Sequence, residues 1–182
     1  MILKRFVYKK IDSTNNLAAK IIKNYDHNSG IVITDYQKKG RGRYGKKWIS
    51  YKGNIFVSIF FKFDNKYNIK KMTKINCKII KKLLSNYINK TITIKNPNDL
   101  LVNKKKVSGI LQEIIQKGRN KYMIVGIGIN LVKSPKLVNY PTTNLKEITK
   151  KKISKKKIIS KLIKMYEKLI PKLTSFSLSK II

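Results

Sequence analysis

The segment from Asn54 to Phe63, which reads NIFVSIFFKF, constrains the fold more than any other stretch of the chain. It is apolar at almost every position, so it shows none of the alternation expected of a strand with one face in water. Strands of this composition are buried on both faces, as the inner strands of a sheet are. The segment therefore predicts a central strand.

Other runs predict the remaining strands around it. β-branched or alternating residues occur in six further stretches, which are 2–11, 31–34, 91–95, 100–102, 106–115 and 122–132. The stretch 122–132 contains Gly126 and Gly128, and glycines inside a strand weaken it unless a backbone or a ligand comes close there. The stretches 100–102 and 106–115 are separated by a short polar turn and predict a hairpin.

Helical periodicity predicts three helices. The first follows a group of potential N-cap residues at 12–15, the second runs from about 68 to 87, and the third begins near Ser154. Pro171 is expected to end or kink the third helix. The second helix has an expected buried stripe of Ile69, Met72, Ile75, Ile79, Leu83 and Tyr87.

The order of these elements predicts the α+β class, with a mixed, largely antiparallel sheet and helices on one face. No internal repeat divides the chain, and no linker-like segment interrupts it. Its 182 residues, of which 42% are hydrophobic, suffice for one core. We therefore interpret residues 1–182 as a single domain.

The formal net charge of +35 favours polyanionic partners in principle. However, lysine, isoleucine and asparagine are all abundant, which is what A+T-rich coding DNA produces. Such a bias explains the charge without any function. The charge is therefore poor support for nucleic-acid binding.

Several classes of site lack the residues they need. Cys77 is the only cysteine, so no intrachain disulfide is possible, and its apolar surroundings predict a core residue. His27 is the only histidine, which excludes zinc clusters and histidine-based triads, and we assign no metal ligand. No apolar run approaches the roughly 18 residues that span a bilayer, and the N-terminus does not resemble a signal peptide. A reducing cytoplasm is the expected location.

The loop from Gln37 to Ser50 contains three glycines, the only tryptophan and two of the four arginines. Because 39 of the 43 basic residues are lysines, Arg41 and Arg43 depart from the habit of the chain. Arginine grips a carboxylate or phosphate with two parallel donors, which lysine cannot do. The alternative is a basic surface loop without function, since a glycine-rich basic loop alone is a weak signal.

Four such polar or glycine-rich patches lie at strand ends or within strands, where a rigid sheet could bring them together. They comprise 13–15, 37–43, 96–99 with Lys106, and 126–130. Taken singly, 13–15 could be only helix caps, 96–99 only a turn, and Lys106 one lysine among many. Together they offer cations, neutral hydrogen bonders and one carboxylate, Asp99, but no evident protein nucleophile. That inventory suits a reaction in which two anions are brought together and charge on phosphorus is neutralised.

The patches also resemble the motifs of the biotin–protein ligase family, biotin–[acetyl-CoA carboxylase] ligase. Five matches occur in the order and spacing of the family between about residues 6 and 131, as DSTN at 12–15, QKKGRGRYGKKW at 37–48, KNPNDL at 95–100, KVSGILQE at 106–113 and GIGIN at 126–130. The resemblance implies the class II aminoacyl-tRNA synthetase-like fold of the biotin/lipoate ligase catalytic domain. It also implies a two-step reaction, in which biotin and ATP with Mg²⁺ give biotinyl-5′-adenylate, and the biotinyl group passes to a lysine of a biotin carboxyl carrier protein.

The resemblance implies a role for each matching residue. The implied biotin-binding residues are Ser13, Thr14, Asn15, Gln37, Arg41, Gly42, Arg43, Lys106, Gly109 and Gly128. The implied nucleotide-binding residues are Arg41, Arg43, Trp48, Asn98, Lys106 and Asn130. The implied catalytic residues are Lys106, Arg41, Arg43 and Asp99. Lys106 would contact the biotin carboxylate and the attacked phosphate, Gly109 and Gly128 would leave room for the ligand, and Asp99 would orient or deprotonate the acceptor lysine.

The sequence departs from the family pattern in three places. Asn96 stands where the family usually has tryptophan. We expect no N-terminal helix-turn-helix domain and therefore no repressor function. We also expect no C-terminal SH3-like domain.

Two other functions remain open at this point. A lipoate–protein ligase would share the fold and the adenylate chemistry, although the Gly-Arg-Gly-Arg loop followed by Trp48 favours biotin. A basic nucleic-acid-binding protein would bind DNA or RNA in a salt-sensitive way, but that function leaves the five motifs unexplained.

Overall fold

The computed structural model describes residues 1–63, 68–138, 140–149 and 151–174. Within these residues, seven strands form one sheet, and they are β1 (Lys4–Ile11), β2 (Ser29–Gln37), β3 (Ile55–Lys62), β4 (Ile92–Lys95), β5 (Asp99–Val102), β6 (Lys105–Lys117) and β7 (Asn120–Ile129). Their order across the sheet is β1-β2-β3-β7-β6-β5-β4. β1 and β2 pair in parallel, and all other neighbours pair antiparallel. The predicted mixed, largely antiparallel sheet is confirmed.

The predicted central strand is β3. It is hydrogen-bonded to β2 on one side and to β7 on the other. Every residue from Ile55 to Phe61 is buried, on both faces of the sheet. The apolar run at 54–63 is therefore explained by burial of both faces.

In the same described ranges, four α-helices accompany the sheet, and they are α1 (Thr14–Asn24), α2 (Ile69–Leu84), α3 (Leu145–Ile148) and α4 (Lys155–Thr174). Side chains cap all four N-termini, since Ser13, Asn68, Asn144 and Ser154 each accept a hydrogen bond from a backbone N–H of the first turn. Sequence periodicity did not predict α3, which is only one turn long. Of the two predicted effects of Pro171, an end of the last helix is wrong, because α4 continues to Thr174, and a kink stays a prediction.

The helices cover both faces of the sheet. α2 and α4 pack against one face through a cluster that includes Val57, Ile59 and Val125, as predicted. α1 packs on the opposite face, where Ala18 and Ile22 belong to a second cluster with the β3 residue Phe60. The expectation of helices on one face therefore holds for α2 and α4 and is corrected for α1, because the apolar β3 needs cover on both sides.

The buried stripe of α2 also differs from the expected one. Ile69 is exposed, and Ile75, Ile79 and Tyr87 are only partly buried. The fully buried residues are Met72, Asn76, Cys77, Ile80, Leu83 and Leu84. The stripe is rotated because the polar Asn76 faces inward, accepting a hydrogen bond from Tyr166 and donating one to Gln112. Cys77 is buried, as predicted.

A buried asparagine ends β7 and directs the chain back toward β6. The Asn54 side-chain oxygen accepts hydrogen bonds from the backbone N–H groups at 131, 132 and 133. These three N–H groups therefore bond to a side chain and not to a neighbouring strand. β7 ends at Ile129, three residues before the predicted end. Beyond this turn, the Pro141 carbonyl and the Thr143 N–H form hydrogen bonds with the backbone of Lys106.

In the described part of the chain, no helix is both long and apolar enough to cross a membrane.

Candidate active site

The candidate site lies on the face of the sheet that carries α1. One row of facing residues crosses four strands there, from Phe56 on β3 to Gly128 on β7, Gly109 on β6 and Asp99 on β5. Neighbouring residues in such a row point to the same side of the sheet. The two glycines therefore form a shallow floor between an aromatic ring and a carboxylate.

The Trp48 ring lies directly on this floor. A Cβ atom on Gly128 would lie 2.4 Å from two atoms of the indole, and one on Gly109 would lie 2.8 Å from it. No side chain fits at those distances, so glycine at both positions allows the ring to approach the backbone. In this structure the space above the two glycines holds the Trp48 ring, and the room predicted for a ligand stays a prediction. The indole Nε1 is buried and has no hydrogen-bond acceptor among the described residues.

The loop that carries Trp48 folds back on itself. The Trp48 N–H donates to the Gly40 carbonyl at 2.9 Å, and the Gly42 N–H donates to the Lys46 carbonyl. A 3₁₀ turn at Arg43–Gly45 forms the tip, where Tyr44 and Gly45 have positive φ angles of 53° and 71°. The glycines of the motif thus permit a short hairpin-like loop that places its tryptophan on the sheet.

Arg41 attaches this loop to the sheet. Its Nη2 atom is 2.8 Å from both carboxylate oxygens of Glu113 on β6. The Asn15 side chain donates to the same carboxylate at 2.6 Å. A single carboxylate therefore joins the loop, the start of α1 and the sheet, and it balances the charge of Arg41.

Arg43 lies on the other side of the loop, near the β4–β5 turn. Its Nη1 atom is 3.5 Å from the Asn98 side-chain oxygen, and its Nη2 donates to the Tyr44 hydroxyl at 2.7 Å. Its guanidinium also stacks 4.7 Å from the centre of the Tyr44 ring. These neighbours are neutral, and among the described residues no carboxylate pairs with Arg43.

Lys106 and Asp99 form the charged centre of the site. Lys106 Nζ lies 2.7 Å from Asp99 Oδ1 in a half-buried ion pair, although the angles there are not those of an aligned hydrogen bond. The other carboxylate oxygen, Oδ2, accepts a hydrogen bond of 2.7 Å from the Tyr140 hydroxyl. The ammonium group also faces the Trp48 ring, with 5.3 Å between Nζ and the ring centre. The hairpin β5–β6 thus presents one cation and one carboxylate at the edge of the glycine floor.

The β4–β5 turn is fixed by Asn98. Its side-chain nitrogen donates to the Ile110 carbonyl at 2.7 Å, and its own carbonyl accepts from the Ile110 N–H at 3.0 Å. The Asn96–Pro97 peptide bond is cis, and the Asn96 side chain is exposed.

Below the β4–β5 turn, burial and then the nearby charge of Asp99 raise the pKa of the Cys77 thiol to about 11. The thiol is therefore protonated at neutral pH.

A polar cluster lies at the start of α1. It lies beside the row in which Ser58 on β3 faces Gly126 on β7. Gln37 accepts hydrogen bonds from both the backbone and the hydroxyl of Thr14, at 2.8 and 3.0 Å. The Ser58 hydroxyl lies within hydrogen-bonding distance of Thr14 Oγ1 and of Asn15 Oδ1. Gly126 permits this arrangement, since a Cβ there would lie 2.2 Å from Asn15 Oδ1. Each glycine inside β7 thus leaves space for a side chain, Gly126 for that of Asn15 and Gly128 for that of Trp48.

The structure brings most of the predicted residues together around the floor, but two of them serve as structural hydrogen bonders. Ser13 caps α1. Asn130 is buried, and its side-chain nitrogen donates to the Thr143 carbonyl at 3.2 Å and lies 3.5 Å from the Lys106 carbonyl. Asn130 therefore supports the strand that carries Lys106, and its proposed contact with the nucleotide stays a prediction.

Three residues of this site were not among the predicted ones. Glu113 stands inside a recognised motif, and its carboxylate is one of only eight acidic residues in the chain. Ser58 is the single hydroxyl within an apolar strand, a signal that sequence reading could have used. Tyr140 lies in a loop without periodicity, so only the folded chain reveals its contact with Asp99.

Comparison with known proteins supports the resemblance found in the sequence motifs. Residues 7–130 match the model of the biotin/lipoate A/B protein ligase family. The chain belongs to this family. The bifunctional ligase/repressor BirA of Bacillus subtilis is 30% identical over 128 residues, which are 69% of this chain, and that of Escherichia coli is 30% identical over 66% of it.

Solved structures of the family share the fold. The biotin protein ligase of Aquifex aeolicus in complex with biotin and ATP is 29% identical, superposes with a TM-score of 0.78, and matches 96% of this chain and 73% of its own. An archaeal lipoate protein ligase from Thermoplasma acidophilum has a TM-score of 0.64 at 10% identity, which shows the shared fold alone. The chain spans only 39% of the length of the B. subtilis relative and 38% of that from E. coli.

Proposed function

We propose that this chain activates biotin with ATP to biotinyl-5′-adenylate and transfers the biotinyl group to a lysine of a biotin carboxyl carrier protein. The observation that carries the proposal is the convergence of Lys106, Asp99 and the arginine loop around the glycine floor. The relationship to a biotin protein ligase whose structure contains biotin and ATP supports the choice of substrates.

The first step needs cations at the point where the negatively charged carboxylate of biotin approaches the negatively charged phosphates of ATP. A biotin carboxylate oxygen attacks the α-phosphorus of ATP, the new P–O bond forms, and the bond to pyrophosphate breaks. Lys106 beside Asp99 and Arg43 beside Asn98 are cations at the β5 edge of the floor, and they would offset the charge on the carboxylate and the phosphorus. Arg41 is bound to Glu113 and would have to leave that carboxylate before it could reach a phosphate.

ATP would arrive as its magnesium complex, with the metal carried by the triphosphate as part of the substrate. In the part of the chain that is described, no group of three or more histidine, cysteine, aspartate or glutamate side chains could hold a metal ion. The basic side chains of this site would offset charge on the phosphates, together with the magnesium that the triphosphate carries.

The second step needs a base near the acyl carbon. The ammonium of the acceptor lysine first loses a proton, since its pKa is ordinarily about 10.4. The amine then attacks the acyl carbon, the C–N bond forms, and the bond to AMP breaks. Asp99 is the carboxylate beside the floor and would accept the proton.

Further residues around the floor are assigned roles in this proposal. The cluster of Thr14, Gln37 and Ser58 offers hydroxyl and amide groups to the polar ring of biotin. The unpaired indole N–H of Trp48 is a further donor available to a ligand. We infer that the loop from Gln37 to Ser50 closes over the adenylate and keeps water away from it. A cytoplasmic location stays a prediction from the sequence.

The test is incubation of the purified chain with biotin, ATP, Mg²⁺ and a biotin carboxyl carrier domain, followed by mass spectrometry of the carrier. We expect one added biotinyl group on the acceptor lysine, and no addition when that lysine is replaced by arginine. A parallel reaction with lipoate and a lipoyl domain tests the related activity. Faster modification with lipoate than with biotin would overturn the proposed substrate.

A further inference from the structure

Tyr140 contacts the charged centre of the site from outside the matched family region, which ends at residue 130. Its hydroxyl donates to Asp99 Oδ2 at 2.7 Å, while Asp99 Oδ1 lies 2.7 Å from Lys106 Nζ. Both oxygens of the carboxylate are thus held by different partners. The Asp99 side chain therefore cannot rotate without losing one of these contacts.

The Tyr140 ring adds a second set of contacts. Lys95 Nζ lies 4.5 Å from the ring centre and Lys106 Nζ lies 5.4 Å from it. An ammonium group over an aromatic face is stabilised by the ring quadrupole. The ring therefore helps to place Lys106, and its hydroxyl places Asp99.

The backbone near Tyr140 is attached to the strand that carries Lys106. The Lys106 N–H donates to the Pro141 carbonyl at 2.8 Å, and the Thr143 N–H donates to the Lys106 carbonyl at 2.9 Å. Asn130 reinforces the connection by donating to the Thr143 carbonyl. The tyrosine is therefore held in register with Lys106 by the fold itself.

We propose that Tyr140 is a positioning residue for the transfer step, which holds the Asp99 carboxylate in the orientation that receives the proton of the acceptor lysine. This inference rests on the proposed ligase function. The charged and titratable groups around Asp99 are Lys106 from β6, Lys95 from β4 beside the tyrosine, and Cys77 from α2. Tyr140 adds to these groups a neutral donor, whose hydroxyl binds the carboxylate directly.

The phenol is suited to this task because it keeps its proton. Burial, and then the hydrogen bond to Asp99, raise the pKa of Tyr140 far above its ordinary value. The hydroxyl is therefore a donor throughout the neutral range. Such a donor stabilises the ionised carboxylate and fixes which lone pairs face the substrate.

Tyr140→Phe separates the hydroxyl from the ring, since it keeps the ring and its contacts with both lysines. Two rates are measured, namely pyrophosphate release with biotin and ATP alone, and transfer from preformed biotinyl-adenylate to the carrier lysine. We expect transfer to fall about tenfold, as loss of one hydrogen bond to a charged group produces, and pyrophosphate release to change less than about twofold. Tyr87→Phe, which alters a partly buried tyrosine at the end of α2, is the matched control and should change neither rate.

Two further variants separate positioning from a structural role. Tyr140→Ala should slow transfer at least as much as Tyr140→Phe, whereas a purely structural ring would leave Tyr140→Phe equal to the unmodified chain. In an Asp99→Asn background, Tyr140→Phe should cause no additional loss of transfer, because the two residues act as one unit. Additive losses, or equal losses in both half-reactions, would overturn the inference.

The outcomes also distinguish the inference from the function on which it rests. An unmodified chain that forms no biotinyl-adenylate would overturn the proposed function, and the inference with it. An active chain in which Tyr140→Phe transfers biotin at the full rate would overturn the inference alone.

Discussion

Lys106 is the residue on which the proposed chemistry most directly depends. By composition it is one lysine among 39, and nothing in its neighbours Lys104 and Lys105 distinguishes it. Its tertiary contacts do, because its Nζ is half-buried between a carboxylate and the Trp48 ring. A cation held in this way is oriented before a substrate arrives, and preorganisation is what makes electrostatic catalysis effective.

We expect Lys106→Ala to lower the rate of pyrophosphate release by about 10²- to 10³-fold, because it removes a cation from the site of charge development. The rate is measured with biotin and ATP in the absence of carrier, and circular dichroism reports whether the fold is kept. Lys105→Ala removes the neighbouring, exposed lysine and serves as the control. Pyrophosphate release at the unmodified rate in Lys106→Ala would contradict the assigned role.

A substitution at Gly128 tests whether the Trp48 ring lies on the glycine floor. A methyl group there would lie 2.4 Å from the Trp48 ring, so we expect Gly128→Ala to displace the ring and to cost about 1–3 kcal/mol of unfolding free energy. Because Trp48 is the only tryptophan, its fluorescence emission should shift to longer wavelength.

The control for this change is Gly118→Ala, at a turn with a positive φ of 56° and no atom within 4 Å of the added methyl. It should also destabilise the chain, through backbone strain, but leave the emission unchanged. Identical emission spectra for Gly128→Ala and the unmodified chain would show that the ring does not lie on the floor.

At the scale of elements, the arginine loop is held by two separate attachments. Arg41 binds Glu113 on β6, and Trp48 packs on β6 and β7. Exposed ion pairs contribute little to stability, so the first attachment controls the position of the loop more than the stability of the fold. Neither attachment is part of the strand ladder, so the loop can open without unfolding the sheet once the ion pair and the Trp48 packing are released.

We expect Glu113→Gln to loosen the loop, because it removes the charge that holds Arg41 while keeping the size of the side chain. Quenching of Trp48 fluorescence by acrylamide should increase. Asp26→Asn breaks a different exposed ion pair, with Lys117, and should leave quenching unchanged. If both variants quench like the unmodified chain, the pair does not hold the loop.

At the scale of the whole molecule, 43 basic side chains face only eight acidic ones. Such an excess of one sign destabilises the compact state through self-repulsion. The two clusters of buried residues on opposite faces of the sheet must offset this repulsion. The stability of the chain therefore depends on ionic strength.

Raising the salt concentration from about 0.01 to 0.1 M shortens the Debye length from about 30 to 10 Å. We expect the melting temperature to rise by several degrees over this range, measured by circular dichroism. Sodium and potassium chloride should act equally, because screening depends on ionic strength. A melting temperature that stays constant or falls would contradict the expectation.

Sequence reading succeeded where local chemistry decides the outcome. The apolar run at 54–63 could only be an inner strand, and Ser13 could cap the helix that follows it because capping needs only neighbouring backbone donors. It failed where distant packing decides, as for the rotated stripe of α2, in which Asn76 turns inward to reach Tyr166 and Gln112. It also failed in expecting Pro171 to end α4, since the packed helix continues past the proline to Thr174.

The sequence by itself determined the strands, the mixed sheet and the family, because hydrophobic pattern and motif spacing are properties of neighbouring residues. Only the tertiary structure decided that α1 covers the opposite face, that Trp48 lies on Gly109 and Gly128, and that Tyr140 holds Asp99. These contacts join residues tens of positions apart. Their geometry depends on the register of seven strands, and no local pattern encodes that register.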